Sequence, residues 1–363
     1  MLLAGRAERF GDVRRIAVLR GGGLGDLMFA MPALEALRAA YPQADITLIG
    51  SPAHAALLAG RPGPVDEVVV PPPSPGVRPG DENEAATGEF FARMRAIGLD
   101  LAVQVHGGGR NSNPFLLRLG ARHTVGTRTP DAVALERTLA YTYYQHEVLR
   151  ALEVVGLAGA DPVVLEPRLA VTEAELARGR ALAGRLRAGC RSLLVIHPGA
   201  TDPRRRWPLD RVAALAAAAV GDGCGVALVG DAGDAAACER IAGTLGAAVT
   251  STAGRLSLPD LLGLLACCDV FVGNDSGPRH LAQAVGAATV GLFWVGNVIN
   301  AGPMTRARHR IEMSWTTRCP VCGTDVTQVG WTAQRCEHDP SFLVSIPVDA
   351  VLDDVRSLLA GEA

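Results

Sequence analysis

Short apolar runs alternate with amphipathic helical segments along the first half of the chain. The apolar runs predict strands at 15–20, 45–50, 66–70 and 99–105, and helical spacing predicts helices at 27–40 and 90–97. In the first helix Leu27, Met31, Leu34 and Leu37 recur on one face. Continuous apolar strands between helices are typical of a parallel sheet that is covered on both faces.

The same alternation restarts in the second half. Predicted strands lie at 192–196, 225–229, 269–273 and 288–293, and predicted helices at 208–221, 234–245, 257–266, 278–285 and 347–359. A stretch rich in Gly and Pro at 156–167 interrupts the pattern and is interpreted as a linker.

The two alternating series predict an α/β protein with two doubly wound, Rossmann-like domains. We place the domains at 1–165 and 166–346, and expect the C-terminal segment 347–363 to pack back across them as a helix. Ligands of such sheets bind at the carboxyl ends of the strands, so we expect a cleft between the two halves.

Composition narrows the class of protein. The 363 residues carry a net charge of −2, which argues against a general nucleic-acid binder. No run of 18 apolar residues and no signal peptide is present, so we expect a cytoplasmic protein with at most peripheral contact to the inner membrane. All 35 basic residues are Arg, so Arg must serve wherever Lys is usual.

The segment Val270–His280, with the sequence VFVGNDSGPRH, carries the strongest chemical signal. An apolar strand ends in a polar turn, and Ser276 and Pro278 are suited to begin a helix. The free N–H groups and positive dipole end of that helix predict a diphosphate-binding site, with His280 as a donor to phosphate or ribose. The alternative is an ordinary capped helix.

Four segments in the same order resemble family 9 of the glycosyltransferases. They are the strand and LGD turn of Arg15–Pro32, the HPGATDPRRRWP segment His197–Pro208, the segment Leu256–His280, and the cysteine segment from Cys319 to Ile346. The best known members are ADP-heptose:lipopolysaccharide heptosyltransferases with the GT-B fold. The resemblance therefore implies two Rossmann-like domains facing a central cleft.

The resemblance also implies site residues. It assigns the general base to Asp26 of the LGD turn, although an Asp there is also a routine helix cap. Arg205 stands where the family has the Lys of K-x-W-P, so charge is preserved but geometry is not. The run Gly21–Gly23 departs from the Ser-rich turn common in the family, which removes hydroxyl donors.

Further candidates lie near the predicted strand ends. The donor-binding set comprises Thr201, Arg205, Asp234, Asp275, Ser276, Gly277 and His280. Asp275 would repel a diphosphate, so we expect it to accept backbone N–H groups and hold the turn, or to bind a sugar hydroxyl. Asp234, or Asp231 beside it, is placed to accept ribose hydroxyls, with helix capping as the alternative.

The acceptor-binding set comprises Gly25, His106, Arg110 and Asn111. The last three follow the strand predicted at 99–105, and a polar loop without a binding role is the alternative.

The cysteines predict no disulfide framework. The main expectation is that no metal is bound, since the family commonly carries its C-terminal cysteines in a mobile loop. A weaker alternative is a Cys₃His zinc site made by Cys319, Cys322, Cys336 and His338.

Taken together, the motifs predict an inverting, metal-independent glycosyltransferase that needs no cofactor. Its substrates would be an ADP-sugar, with heptose or a related sugar, and a glycan or lipid-linked acceptor such as lipopolysaccharide core. A protein or small-molecule acceptor, or a non-catalytic nucleotide-sugar-binding protein, remains as an alternative. An epimerase or dehydrogenase is disfavoured because Gly21–Gly25 lacks the G-x-G-x-x-G spacing.

Overall fold

The computed structural model describes residues 7–187, 189–327 and 335–361. The chain divides into two compact units, Met1–Ala170 and Val171–Ala363, which we call the first and second units. The sequence placed this division slightly earlier, between 165 and 166.

The first unit contains a six-stranded parallel sheet in the order β3-β2-β1-β4-β5-β6. Its strands are β1 Arg15–Leu19, β2 Asp45–Ile49, β3 Glu67–Val69, β4 Leu101–Gln104, β5 His123–Arg128 and β6 Arg137–Ala140. Its helices are α1 Leu24–Ala40, α2 Pro52–Leu58, α3 Glu84–Ile97, α4 Ser112–Leu117 and α5 Glu147–Gly156. The first strand is therefore central, and the chain winds outward from it in both directions.

The second unit repeats this topology with the order β12-β11-β10-β7-β8-β9, again parallel throughout. Its strands are β7 Ser192–His197, β8 Cys224–Leu228, β9 Val249–Ser251, β10 Val270–Asn274, β11 Ala288–Trp294 and β12 His309–Ser314. Its helices are α6 Glu173–Leu186, α7 Leu209–Gly221, α8 Ala235–Leu245, α9 Leu258–Cys267, α10 Gly277–Ala284, α11 Val295–Ala301 and α12 Val348–Ala360. A short 3₁₀ turn spans Pro203–Arg205.

Apolar side chains on the strands and on the inner helix faces form the cores. In the second unit the strand residues Leu194, Val226 and Val272 are buried against Val212 and Leu215 of α7. Continuous apolar strands are required here because helices cover both faces of a parallel sheet.

The fold predicted from the sequence is confirmed: both halves are doubly wound parallel sheets. The structure adds elements that the apolar pattern missed, among them β5, β6, β9 and β12, which lie at or next to sheet edges. The burial pattern of β6 shows why, since all of its residues are partly or fully exposed and carry no apolar run.

The C-terminal helix α12 packs on α7 and on the β10–β12 side of the second unit. Its residues Val351, Leu352 and Val355 are part of that unit's core. Within the parts of the chain that the structure describes, no helix is both long enough and apolar enough to cross a membrane.

Candidate active site

The strand order reverses at one place in each sheet. In the first unit the reversal lies between β1 and β4, and in the second between β7 and β10. Loops diverge at such a switch point and leave room for a ligand at the carboxyl ends of the strands. The candidate residues of each unit cluster around its switch point.

At the first switch point a buried arginine holds Asp26. Arg20 follows β1 directly, and its Nη2 donates to Asp26 Oδ1 at 2.8 Å. The second carboxylate oxygen, Oδ2, accepts the Gly23 N–H at 2.8 Å, so Asp26 also caps α1. The Arg20 side chain is 7% exposed and that of Asp26 is 46% exposed. Arg20 and the Gly23 N–H therefore hold the carboxylate in one orientation, and the Asp26 side chain remains accessible to solvent.

Arg20 is neutralised by two carboxylates. Glu147, at the start of α5, places Oε2 at 3.3 Å from Arg20 Nη2. Burial alone would lower the pKa of Arg20, but the charges of Asp26 and Glu147 outweigh it and raise that pKa. The guanidinium thus stays charged in the interior, which is how a buried arginine remains compatible with folding.

Glycine is required in the turn before Asp26. Gly22 has φ +89°, and a Cβ there would lie 2.4 Å from Asp26 Oδ2. A Cβ on Gly21 would lie 2.5 Å from the carbonyl oxygen of Val77. At Gly22 the Asp26 carboxylate, and at Gly21 the Val77 carbonyl, therefore occupy the space that a side chain would need.

His106 connects the ends of β1 and β4. Its Nδ1 accepts the Gly21 N–H at 3.2 Å, so Nε2 carries the proton and donates to Gly76 O at 2.7 Å. Burial, followed by the charge of Arg20, lowers its pKa. Both ring nitrogens contact backbone groups, so the ring braces the turn, and a role of His106 in acceptor binding stays a prediction.

A second buried histidine braces the same turn. His54, which the sequence did not single out, lies in α2 and joins its Nε2 to Gly23 O at 2.8 Å. Burial lowers its pKa. The turn that carries Asp26 is thus held by histidines from two other elements.

The remaining acceptor candidates have different surroundings. Gly25 lies in the first turn of α1, next to Asp26. Arg110 has a largely exposed side chain whose Nε lies 3.6 Å from Asp131 Oδ2. Asn111 begins α4 without a side-chain cap and packs against Gly76. The described hydrogen bonds connect neither Arg110 nor Asn111 to Asp26.

At the second switch point the arrangement centres on the buried Asp275. This residue follows β10 directly, and its Oδ1 accepts from His280 Nε2 at 3.0 Å. Oδ2 accepts from Arg205 Nη1 at 3.2 Å and from the side-chain amide of Asn297. Burial would raise its pKa, but the hydrogen bond from His280 and the charge of Arg205 hold it well below its usual value. The described hydrogen bonds to Asp275 come from side chains, whereas the sequence predicted backbone N–H groups or a sugar hydroxyl as its partners.

His280 acts within this cluster. It is buried, its Nδ1 accepts from Arg279 Nη2 at 2.6 Å, and its Nε2 donates to Asp275. Burial lowers the pKa of Arg279 to about 10, against the opposing charge of Asp275. In this arrangement the imidazole positions Asp275, and its predicted role as a donor to phosphate or ribose stays a prediction.

The three consecutive arginines have three different environments. Arg204 is buried and pairs with Asp202, while Arg206 is exposed and donates from Nε to Ala200 O at 2.8 Å. Arg205 is the one that reaches Asp275, and its side chain is 38% exposed. The structure therefore brings the predicted cation beside α10, and it separates Arg205 from its neighbours.

Buried Asn274 fixes the loop that carries these arginines. Its side-chain oxygen accepts the Trp207 N–H at 3.1 Å, and its nitrogen donates to Pro198 O at 2.7 Å. Thr201 lies exposed in the same loop. Both ends of the loop are thereby tied to the end of β10.

Ser276 and Gly277 form the start of α10. Ser276 is the N-cap residue, but its hydroxyl donates to Asn274 O at 3.1 Å and does not cap the helix. In this first turn Pro278 has no N–H, and the Arg279 and His280 N–H groups donate to Ser276 O. The Gly277 N–H makes no described hydrogen bond, so it is available to an external acceptor. This local geometry is suited to an anion.

His197 links Ser276 to Asp234 across three neighbouring strands. Its Nδ1 lies 3.2 Å from Ser276 Oγ, and its Nε2 lies 3.5 Å from Asp234 Oδ2. The hydrogen bond from His197 lowers the pKa of Asp234. Asp234 stands at the N-cap of α8 but makes no side-chain cap, so the capping alternative is wrong for its side chain. Asp231, in contrast, accepts the Gly233 N–H at 2.7 Å and organises the turn.

The cysteine segment forms a separate cluster in the second unit. Cys319, Cys322, Cys336 and His338 each offer one potential ligand atom, and these atoms lie within 4.8 Å of one another. All three thiols are free of disulfides.

A family model described as glycosyltransferase family 9 (heptosyltransferase) matches residues 90–322. The chain belongs to glycosyltransferase family 9. It is therefore a glycosyltransferase. Lipopolysaccharide heptosyltransferase 2 of Salmonella typhimurium is 26% identical over 368 residues, covering 96% of this chain and 99% of that protein.

Two solved structures show the same fold. An ADP-heptose lipopolysaccharide heptosyltransferase II of Escherichia coli superposes with a TM-score of 0.71 at 21% identity, covering 96% of this chain and 99% of that one. TibC of enterotoxigenic E. coli, described as an iron-containing dodecameric glycosyltransferase, gives 0.56 at 14% identity, covering 98% and 81%.

Sequence reasoning missed several residues of this family 9 transferase that organise its candidate site: Arg20, His54, Glu147, His197, Asn274 and Asn297. Arg20, His197 and Asn274 each lie at the carboxyl end of a central strand, which is a signal that could have found them. Glu147 begins a helix and does not directly follow a strand, and it lies 127 residues from Arg20 in the chain. No local sequence signal therefore points to it.

Proposed function

We propose that this family 9 transferase moves a heptose, or a related sugar, from an ADP-sugar to an acceptor hydroxyl with inversion and without a catalytic metal. The reaction must deprotonate the acceptor, stabilise the departing diphosphate and align the two. The observation that carries the proposal is which member of each ion pair is accessible to solvent. In the pair of Arg20 and Asp26 it is the carboxylate, and in the pair of Asp275 and Arg205 it is the guanidinium.

In this proposal the first unit supplies the base. Each oxygen of Asp26 accepts one hydrogen bond, so each retains a lone pair for a proton. Arg20 and the Gly23 N–H hold the carboxylate in one orientation. Asp26 removes the acceptor's proton as its oxygen attacks the anomeric carbon, and the C–O bond to the diphosphate breaks on the opposite face.

The second unit supports the leaving group. The uncapped start of α10 offers the Gly277 N–H and the positive end of the helix dipole. One Arg205 donor is engaged by Asp275, and the others of its guanidinium are directed to phosphate oxygens. These two contributions take the place of a divalent cation. Asp234, held by His197, is assigned to the ribose.

Lipopolysaccharide core is the proposed acceptor, because the Salmonella relative carries that name. The proposed location is the cytoplasm, at the membrane face where a lipid-linked acceptor is accessible. A protein or small-molecule acceptor would use the same base and the same donor site.

The test is binding followed by transfer with purified protein. In a thermal-shift panel of ADP-, UDP- and GDP-sugars, we expect stabilisation by ADP-heptose above the others. Transfer to heptose-deficient lipopolysaccharide should still proceed after brief treatment of the protein with EDTA. NMR of the product should show that the anomeric configuration is inverted. A retained configuration, or stabilisation by no ADP-sugar, would refute the proposal; binding without transfer to any acceptor would favour a nucleotide-sugar-binding protein.

A further inference from the structure

We propose that Cys319, Cys322, Cys336 and His338 bind one zinc ion in a closed tetrahedral site that holds the Arg205 loop in place. The four ligand atoms are gathered within 4.8 Å of one another. Zinc–sulfur bonds of about 2.3 Å in a tetrahedron separate the sulfurs by roughly 3.8 Å. The side chains therefore need only small movements to surround an ion.

The local backbone is built to present the first two thiols. The Gly323 N–H donates to Cys319 O at 2.9 Å, and the Cys319 N–H donates to Thr324 O at 2.8 Å. Gly323 has φ +73°, a conformation that favours glycine. The result is a tight turn closed by an antiparallel bridge between Arg318 and Asp325. A C-x-x-C turn of this kind supplies two adjacent ligands of a structural zinc site.

An orphaned atom gives independent support. His338 Nδ1 is buried and has no hydrogen-bond partner among the described residues. A buried polar atom without a partner destabilises the folded chain. Coordination of an ion by the imidazole, beside three thiols, removes that destabilisation. Three thiolates and one imidazole form a donor set that zinc prefers.

The site is anchored in the core of the second unit. Cys319 is 2% exposed and packs in the same core as Val326 and Phe342, while Cys336 packs against it. Four protein ligands leave no open position for a substrate, so the ion is structural. This is compatible with a transfer reaction that uses no catalytic metal.

The segment after His338 is bonded to the arginine loop. The Phe342 N–H donates to Arg204 O at 2.8 Å, and Ser341 Oγ donates to Arg206 O at 2.6 Å. The Phe342 ring lies under the Arg204 guanidinium, with 5.5 Å to its centroid. Arg205 lies between the two anchored carbonyls. An ion that holds Cys336 and His338 would therefore stabilise the loop that presents Arg205; this last link rests on the proposed function.

The experiment measures metal content first. The full chain is produced in zinc-replete medium and purified without a polyhistidine tag. Its metal content is measured by inductively coupled plasma mass spectrometry. We expect about one zinc per chain. Cys322→Ser should reduce this at least tenfold, and the matched control Cys190→Ser, a partly exposed cysteine outside the cluster, should retain the full amount.

Cobalt replacement keeps the test valid if Cys322→Ser fails to fold. Wild-type protein exchanged with cobalt should show the intense visible absorption of a tetrahedral thiolate site, and zinc should abolish it. Iron in place of zinc, a disulfide detected by a 2 Da mass loss, or a chain that binds no metal would each overturn the proposal.

ADP binding then tests the link to the loop. In Cys322→Ser we expect the dissociation constant for ADP to rise about fivefold, with no change in Cys190→Ser. If the wild type binds one zinc and Cys322→Ser loses it, but the two proteins bind ADP with the same affinity, the positioning role is refuted. If wild-type protein binds zinc but no ADP, the proposed function fails while the metal site stands.

Discussion

The two switch points have the same strand order and opposite polarity. In the first unit the residue directly after the central strand is the cation Arg20, buried, with Asp26 exposed above it. In the second unit the residue directly after β10 is the anion Asp275, buried, with Arg205 exposed above it. The same fold therefore offers a carboxylate at one place and a guanidinium at the other.

This difference relates the charge of the buried residue at the strand end to the charge of its accessible partner. A residue at the end of a central strand is enclosed by neighbouring loops, so its charge must be neutralised by a partner. That partner comes from a helix or a loop and retains access to solvent. The sign of the strand-end residue thus decides whether the accessible group is a base or an anion binder.

The largest effect is expected for Asp26→Asn. The amide still accepts the Gly23 N–H but cannot accept a proton, so kcat should fall about 10³-fold. Affinity for ADP should stay unchanged, since the nucleotide is assigned to the second unit. Transfer kinetics and calorimetry measure the two effects; Asp66→Asn, a surface carboxylate paired with Arg38, is the control. Wild-type turnover in the variant would contradict the role of base.

Asp275→Asn should next reduce the free energy of unfolding by about 3 kcal/mol at pH 7, because it leaves Arg205 without its buried counter-ion and weakens the acceptor of the His280 N–H. The lowered pKa of Asp275 stabilises the folded state above the ordinary Asp pKa of about 3.9. This stabilisation is lost as pH falls further. The difference between wild type and variant in urea denaturation should therefore shrink below about pH 4. A difference that is constant with pH would show that Asp275 is not the coupled charge.

Arg205→Ala should weaken ADP binding about 30-fold, which corresponds to about 2 kcal/mol for hydrogen bonds of a charged group. The adjacent Arg206→Ala is the matched control, since its Nε bonds a carbonyl of its own loop and it makes no described contact with Asp275. Isothermal calorimetry measures both. Equal weakening in the two variants would point to general electrostatics and would remove the special position of Arg205.

The smallest effect is expected for Thr201→Ala. Its exposed hydroxyl lies in the arginine loop. Loss of one hydrogen bond from this uncharged, solvent-exposed donor to a phosphate should raise the ADP dissociation constant about threefold. Thr201→Ser should restore wild-type affinity. If both variants bind like wild type, Thr201 has no part in the donor site.

Much of this architecture could be predicted from the sequence because it is local or periodic. The helix at α12 and the central strands β1 and β10 were found from apolar spacing over a few residues. The HPGATDPRRRWP and GNDSGPRH segments identified the family through consecutive residues. Arg205 followed from its place in the first of these segments, and Asp26 from the LGD turn.

The rest depended on contacts between distant segments. Three consecutive arginines look alike in sequence, yet only their packing separates buried Arg204 from Arg205 and exposed Arg206. The sequence did not indicate that the ring nitrogens of His280 contact Arg279 and Asp275. Burial of each ring or guanidinium is set by whole elements packing around it, so no local pattern reports it.

The sequence by itself determined the two doubly wound sheets, the family and the segments that carry the site, since periodicity and motifs are written in consecutive residues. Only the tertiary structure decided which member of each charge pair is buried, that Glu147 meets Arg20, and that three cysteines and His338 gather at one point. The physical reason is that the cost of enclosing a charge or an unpaired polar atom depends on its complete surroundings. Those surroundings come from parts of the chain that are far apart until it folds.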